Sequence, residues 1–331
     1  LPPIPCPLFP APYSLPPVHG YQLSISYDII PFQADPSGVI SLYIMPRVVY
    51  TPQSEAFRPG RVLKAMARGV IQSRYMALRL VVKDIKSDYS KSQFGLIWEL
   101  IDPLVLGFIF YSLMRTRVIN PGETGMPYVI FIIYGLLMYA TFVESIMRMV
   151  NLVKNSKSLL SQLKLPPEAL ILSVLFRIAF NCFFRLAVML FFSLLLRNSA
   201  LASGQSAFSL LGFLKFLLLF PSVILVGAAI GLFFAPLNAI YSDVGTALRI
   251  GLGPYRYLSP VLWPLPLTGL WAYVHAVSPI SPLFLDLRML ATNDVMHYPV
   301  HFAARILFFG GMFLFAWFVF HISIVVLSEK A

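Results

Sequence analysis

The chain has 331 residues, of which 58% are hydrophobic, 15% are aromatic and only 12% are charged, and its mean hydropathy is +0.77. A soluble domain carries about a quarter charged residues, so this composition excludes a water-soluble protein and requires the bilayer as the solvent. The net charge of +11 does not indicate a nucleic-acid-binding protein, because the basic residues lie between long apolar runs rather than on one polar face.

The first 44 residues differ from the rest of the chain. They contain no Lys or Arg, and they are crowded with proline, as in LPPIPCPLFPAPYSLPP. Repeated prolines prevent a spanning helix. We therefore predict a disordered proline-rich tail at 1–44, with Met45 as the preferred natural start of the protein. A proline-rich docking segment is the alternative interpretation.

A hydrophobic period near 3.6 residues begins at Arg61 and predicts an amphipathic helix within an N-terminal segment at 45–96. Such a helix lies in the interface plane of the membrane. It can anchor the chain to anionic membrane lipids, alone or in addition to another role. Its apolar stripe comprises Leu63, Val70, Ala77, Val81, Ile85 and Tyr89, and its basic residues are Arg61, Lys64, Arg68, Arg79, Lys83 and Lys86.

Five later runs are apolar enough to cross about 30 Å of hydrocarbon, which takes about 20 residues. The stretch 246–271 is also apolar but is interrupted by prolines, and we interpret it as a sixth, irregular span. A short re-entrant or external helical segment precedes the last span. The predicted fold is thus an all-α integral membrane protein with six transmembrane helices in 97–331. The five clear spans lie at 97–115, 127–149, 169–196, 208–235 and 302–327.

The distribution of Lys and Arg predicts the orientation of these spans. Ten basic residues lie between Met45 and the first span, and Lys154, Lys157 and Lys164 follow the second. The opposite side is poorer in them. Both termini are therefore expected in the cytoplasm, and six spans satisfy that parity. The basic residues on the opposite side are Arg115, Arg117, Arg197 and Arg288.

Several motifs occur in an order that resembles a known family. Lys83-Asp84-Ile85-Lys86 precedes a spaced series of residues at the start of the first span, namely Tyr89, Ser92, Gly95, Trp98 and Pro103. This pattern resembles the permease subunits of type-2 ABC exporters, and especially those that export O-antigen, capsule and teichoic acid polysaccharides. Further similar segments are KSLLSQLKLPPEALIL at 157–172, PLNAIYSDVGTAL at 236–248, YLSPVLWPLP at 257–266 and VSPISPLFLDLRML at 277–290.

The resemblance covers about 45–331 and implies a function. It implies a permease of the cell inner membrane that works as a homodimer with two copies of a separate ABC ATPase and exports a lipid-linked glycan. ATP and Mg would bind to that partner, since this chain has no GxxxxGK(S/T) phosphate loop; no catalytic residue, cofactor or metal is expected in it. The resemblance assigns ATPase coupling to Lys83, Asp84, Lys86, Tyr89, Ser92, Gly95, Lys157, Leu159, Leu160, Lys164, Leu165, Pro166, Tyr241 and Asp243.

For these coupling residues the sequence leaves simpler interpretations open. The segment around Lys83 also fits an interface anchor followed by an ordinary span. The loop at 154–168 has three lysines and several leucines before Pro166-Pro167. It predicts a short helix that docks in a groove of the ATPase, or else a loop that lies on lipid headgroups.

Polar residues inside the spans are costly and therefore informative. Arg177, Asn181 and Arg185 are spaced by four residues and share one face of the third span. We predict that Arg177 or Arg148 pairs with Glu144. The stripe either holds spans together through internal charge pairs or contacts the pyrophosphate of a lipid-linked glycan.

Aromatic residues recur along the second span, among them Tyr134, Tyr139 and Phe142. Sugar rings stack on aromatic faces, so these residues are candidates for a translocation path. Ordinary packing is the alternative for each of them.

Two other functions compete with polysaccharide export. A type-2 exporter of drugs or small lipids would share the fold and differ only in its cargo. A membrane-embedded transferase acting on lipid-linked sugars would need His, Asp or Glu clustered at one membrane face, and the sparse carboxylates provide no such cluster.

Overall fold

The computed structural model describes residues 23–29, 44–50, 59–90, 97–118, 124–156, 167–202, 208–264, 269, 273 and 277–330. Two strands come first. β1 (Leu23–Ile29) and β2 (Ile44–Tyr50) pair antiparallel, with Asp28 opposite Met45. Backbone hydrogen bonds join β1 to β2, and the predicted disorder of 1–44 stays a prediction. The predicted division of the chain at residue 44 stays a prediction.

Helices account for most of the remaining described residues. The composition predicts this result, because a membrane-spanning segment must satisfy its backbone hydrogen bonds internally. The helices are α1 (Pro59–Ser90), α2 (Ile97–Arg115), α3 (Tyr128–Val150), α4 (Pro167–Leu195), α5 (Arg197–Ala202), α6 (Leu210–Leu219), α7 (Pro221–Ile240), α8 (Asp243–Leu258), α9 (Ser281–Asn293) and α10 (Pro299–Lys330).

Four of the described segments are long and apolar enough to span a membrane: α3, α4, α6 with α7, and α10. They coincide with four of the predicted spans, so the chain is a multi-pass membrane protein. The apolar part of α2 is shorter, at Leu104–Arg115. The predicted irregular span corresponds to α8 followed by turns at 259–263. The count of six spans stays a prediction.

The central helix is α3, whose residues are buried on nearly every side. A helix that is apolar all round occupies the interior of a bundle. Two glycines of α7 allow close packing against it. A Cβ at Gly227 would lie 2.7 Å from the carbonyl oxygen of Phe142, and one at Gly231 would lie 2.7 Å from Cβ of Met149. This small-xxx-small pattern therefore packs two helices of the same chain together.

Helix α1 buries much of its predicted apolar stripe and exposes a second one. Ala77 and Val81 of that stripe are buried, and Val70 and Ile85 are partly buried. The stripe therefore packs against the chain itself rather than facing outward. A second apolar stripe is exposed, and basic residues lie beside it. The exposed apolar residues are Ile71, Tyr75, Leu78 and Val82, and the exposed basic ones include Arg68, Arg79, Lys83 and Lys86.

Candidate functional site

The carboxylate of Glu144 contacts three side chains between α3 and α4. Oε1 of Glu144 accepts hydrogen bonds from Nε of Arg148 and Nδ2 of Asn181, each at 2.6 Å, and its Oε2 lies 2.7 Å from Nη1 of Arg185. The Arg185 side chain is only 4% exposed. Of the two pairings predicted for Glu144, the structure shows the one with Arg148, and it adds a more deeply buried one with Arg185.

This charge network also includes a hydroxyl group. Thr141, one turn before Glu144, accepts a hydrogen bond of 3.2 Å from Nη1 of Arg185. The spacing of Thr141, Glu144 and Arg148 places all three on one face of α3, toward Asn181 and Arg185 of α4. The two helices are thereby joined through charged and hydrogen-bonding side chains.

Arg177 lies one turn before Asn181 on the same face of α4 and is also buried. It lines a cavity of about 230 Å³ between α1, α3 and α4, together with Asp84 and Ser87 of α1 and Arg148 of α3. The cavity therefore connects the predicted coupling residue Asp84 to two of the predicted intramembrane arginines. Their sequence positions predict separate roles for these residues, since 93 positions separate Asp84 from Arg177.

Asn238 was not identified from the sequence, although it organises the end of α7. Its Nδ2 donates to the carbonyl oxygen of Val150 at 2.9 Å and to Oδ1 of Asn151 at 3.1 Å, while its own Oδ1 accepts from the backbone nitrogen of Gly245 at 2.8 Å. One buried amide thus joins the C-terminal end of α3 to the start of α8. Gly245 is required there, because a Cβ would lie 2.8 Å from the amide oxygen.

Glu168, the second residue of α4, forms another junction. Its Oε1 lies 2.6 Å from Nδ1 of His321 in α10, and the residue is only 2% exposed. A Cβ at Gly69 of α1 would lie 2.8 Å from Cδ of Glu168. These contacts place parts of α1, α4 and α10 together at one end of the bundle. We call it the junction end and define it by Val150, Glu168, Asn238 and His321.

At a distance from this end, Arg288 of α9 is completely buried. It donates hydrogen bonds to the carbonyl oxygens of Pro260 and Val261, and its guanidinium lies 3.9 Å from the ring centroid of Phe131. Burial lowers the pKa of Arg288 to about 9, which leaves it charged at neutral pH. Sequence analysis counted Arg288 as a loop cation, but it holds the turn after α8 against α3. Gly135 provides the space for this guanidinium.

The three candidate aromatic residues are interior residues of α3. The hydroxyl oxygens of Tyr134 and Ser193 are 2.9 Å apart, and the Tyr139 hydroxyl donates to the carbonyl oxygen of Leu252. Phe142 packs against Tyr139 with ring centroids 6.1 Å apart. All three are at most 4% exposed. Within this chain their described contacts are hydrogen bonds and ring packing.

The predicted coupling residues have different placements. Lys83, Asp84 and Lys86 are exposed on α1, and Tyr241 and Asp243 are exposed where α7 ends and α8 begins. Tyr89 lies in α1, but its side chain is outside the described residues. The rest also lie outside the described residues, namely Ser92, Gly95, Lys157, Leu159, Leu160, Lys164, Leu165 and Pro166.

Three curated proteins resemble the chain. An O-antigen export system permease protein of Myxococcus xanthus is 25% identical over 204 residues, which cover 60% of this chain and 72% of that protein. The chain is similar to O-antigen export permeases. Two such permeases of Klebsiella pneumoniae are 22% and 20% identical, and the matched residues cover 65% and 70% of this chain and 80% and 85% of the relatives.

These relatives confirm the resemblance to permeases of type-2 ABC polysaccharide exporters that the ordered motifs indicated. No protein-family model matches the chain. The relatives are transport permeases by name, which agrees with the prediction of a non-enzymatic membrane protein.

Proposed function

We propose that this chain is the transmembrane subunit of an ABC transporter that exports a lipid-linked polysaccharide of the O-antigen class across the cell inner membrane. Two copies of the chain would work with two copies of a separate ATPase, which binds ATP and Mg. The observation that carries this proposal is the agreement between the ordered motifs of 83–290 and three relatives that are all O-antigen export permeases.

The geometry of the junction end supports the coupling part of the proposal. The predicted coupling loop at 154–168 contains Ser156, which lines the cavity, and ends at Glu168. Asn238 places the exposed Tyr241 and Asp243 beside the C-terminal end of α3. A cytoplasmic motor acting at these exposed positions would therefore act on the ends of α3, α4 and α8 together.

The same end supports cytoplasmic placement of both termini. Gly69 of α1 and His321 of α10 both contact Glu168, so the amphipathic helix and the C-terminal part of the chain lie at one end of the bundle. Lys154, two residues before Ser156, is exposed there. Basic residues mark the cytoplasmic side of a membrane protein.

The cargo would pass between the two copies of the chain while ATP-driven closure of the motors moves the coupling loop and α1. In this scheme Glu144 and its three donors keep α3 and α4 together as the motors close. The exposed apolar stripe of α1 would lie in the acyl boundary, and its basic residues would contact anionic headgroups.

The decisive experiment is co-purification of the chain with a candidate ABC ATPase from the same genome. We expect a complex with two copies of each subunit, ATPase activity that depends on this chain, and loss of surface O-antigen when the gene is deleted. Surface polysaccharide that is unchanged in the deletion strain, with export of a small lipid or drug lost instead, would identify the competing exporter. Activity of the isolated chain without nucleotide would refute both exporter proposals.

A further inference from the structure

Glu168 is placed where three helices of the junction end meet. It is the second residue of α4 and the last residue of the predicted coupling loop at 154–168. Its carboxylate contacts α10 through Nδ1 of His321 at 2.6 Å, and it lies against the backbone of α1 at Gly69. Movement of the start of α4 would therefore reach α1 and α10 through one side chain.

The contact with α1 depends on the absence of a side chain at Gly69. A Cβ at this position would lie 2.8 Å from Cδ, 2.9 Å from Oε2 and 3.0 Å from Cγ of Glu168. The two shorter distances are below those of real Cβ contacts, so the Glu168 carboxylate would have to shift to admit a side chain at this position. Glycine inside a helix costs about 0.5–1 kcal/mol relative to alanine. At Gly69 the chain accepts that cost and gains direct contact between α1 and the carboxylate.

A simple helix-end charge does not explain this arrangement. An acidic residue in the first turn of a helix is favourable, but the effect operates at exposed positions as well. Glu168 is instead 2% exposed, and burial of a carboxylate costs several kcal/mol unless it is well paired. Its close approach to His321 and its fit against Gly69 exist only while α1, α4 and α10 keep their present arrangement. The side chain therefore responds to a change in the relative positions of these helices.

We propose that Glu168 is the positioning residue through which movement of the coupling loop is passed to α1 and α10. This inference rests on the proposed function, since it requires a motor that moves the loop. The inference assigns a role to a buried residue that is not among the predicted coupling residues. The residue acts by contact, through its length, the carboxylate oxygen beside His321 and the space left by Gly69.

The test uses the full chain in complex with its ATPase, and it compares export with ATP hydrolysis. Gly69→Ala adds the Cβ that meets the carboxylate, and Gly60→Ala is the matched control, because a Cβ at Gly60 of the same helix meets nothing within 4 Å. Glu168→Leu removes the acceptor, whereas Glu168→Gln keeps the length and one acceptor oxygen. For each variant we would measure the recovered complex, its ATPase rate and surface polysaccharide in cells.

Gly69→Ala and Glu168→Leu are expected to lower export by about 2- to 30-fold, the range of coupling effects for single substitutions, while complex recovery and ATPase rate stay near wild type. Glu168→Gln should restore most of the export, and Gly60→Ala should change nothing. Export unchanged in Gly69→Ala would overturn the inference, as would a parallel loss of complex and ATPase, which indicates a purely structural role. Absence of ATP-driven export in the wild type would instead refute the proposed function, and the inference with it.

Discussion

Removal of the Glu144 carboxylate is the most informative perturbation of the charge network. Its three donors differ in burial, and this difference determines the expected energies. Arg148 is 30% exposed and lies one turn away on the same helix, so its pair with Glu144 is worth only about 0.3–0.5 kcal/mol. The hydrogen bond from Asn181 is worth about 0.6 kcal/mol by the average for polar contacts between membrane helices.

Arg185 contributes most of the expected effect. Its side chain is 4% exposed and its Nη1 lies 2.7 Å from Oε2 of Glu144, so Glu144→Ala leaves a buried guanidinium without its carboxylate. Breaking a buried pair by removing one partner costs about 3–5 kcal/mol. Replacing both partners by apolar residues is often neutral. We therefore expect Glu144→Leu with Arg185→Leu to be more stable than Glu144→Leu alone.

The assay is unfolding of the purified chain in detergent micelles by denaturant titration, followed by intrinsic fluorescence. We expect a loss of about 3–5 kcal/mol in the free energy of unfolding for Glu144→Ala, and a loss below about 1 kcal/mol for Arg148→Ala. A loss for Arg148→Ala as large as that for Glu144→Ala would contradict the reasoning. So would a double variant whose loss equals the sum of its two single variants.

Three further substitutions test other contacts by the same assay. Gly231→Ala should cost about 1–3 kcal/mol because its Cβ would lie 2.7 Å from Cβ of Met149, whereas Gly310→Ala, with open space around it, should be neutral; equal stability of the two would contradict the packing. Asn238→Leu should cost about 1–3 kcal/mol for each buried group left without a partner, and it should increase hydrogen exchange at the start of α8. Arg288→Lys should cost about 1–3 kcal/mol, because one ammonium group does not reproduce the forked hydrogen bonds to the carbonyl oxygens of Pro260 and Val261; a lysine variant as stable as wild type would contradict this role of the guanidinium.

The helices that cross the membrane could be predicted because their signal is local. A run of about 20 apolar residues is sufficient to identify a span, and the structure begins and ends α3 at Tyr128 and Val150, within one residue of the predicted 127–149. The amphipathic helix could also be predicted from a local signal, the 3.6-residue period of its apolar positions. What covers its apolar stripe could not be predicted, because Val70, Ala77 and Val81 do not indicate whether protein or lipid lies against them.

The contacts that organise the site could not be predicted because they join distant parts of the sequence. Arg185 and Glu144 are 41 positions apart, and Asn238 is 88 positions from its partner Val150. Arg288 was predicted to lie in a loop, because it belongs to the short segment before the last predicted span. A partial signal existed for it, since Gly135 interrupts the apolar run of α3 at the point where the guanidinium lies.

The interior helix α3 is held in two ways that suit a membrane protein. Apolar surface gains little by facing protein rather than lipid tails, so close packing and polar contacts must hold the helices together. Arg288 contacts α3 near Phe131, and Arg185 contacts it at Thr141 and Glu144. Ten positions separate Phe131 from Thr141, which is about 15 Å along a helix. Since two buried arginines from different helices fix this length of α3, rigid movement of the helix is expected, with adjustment confined to its ends.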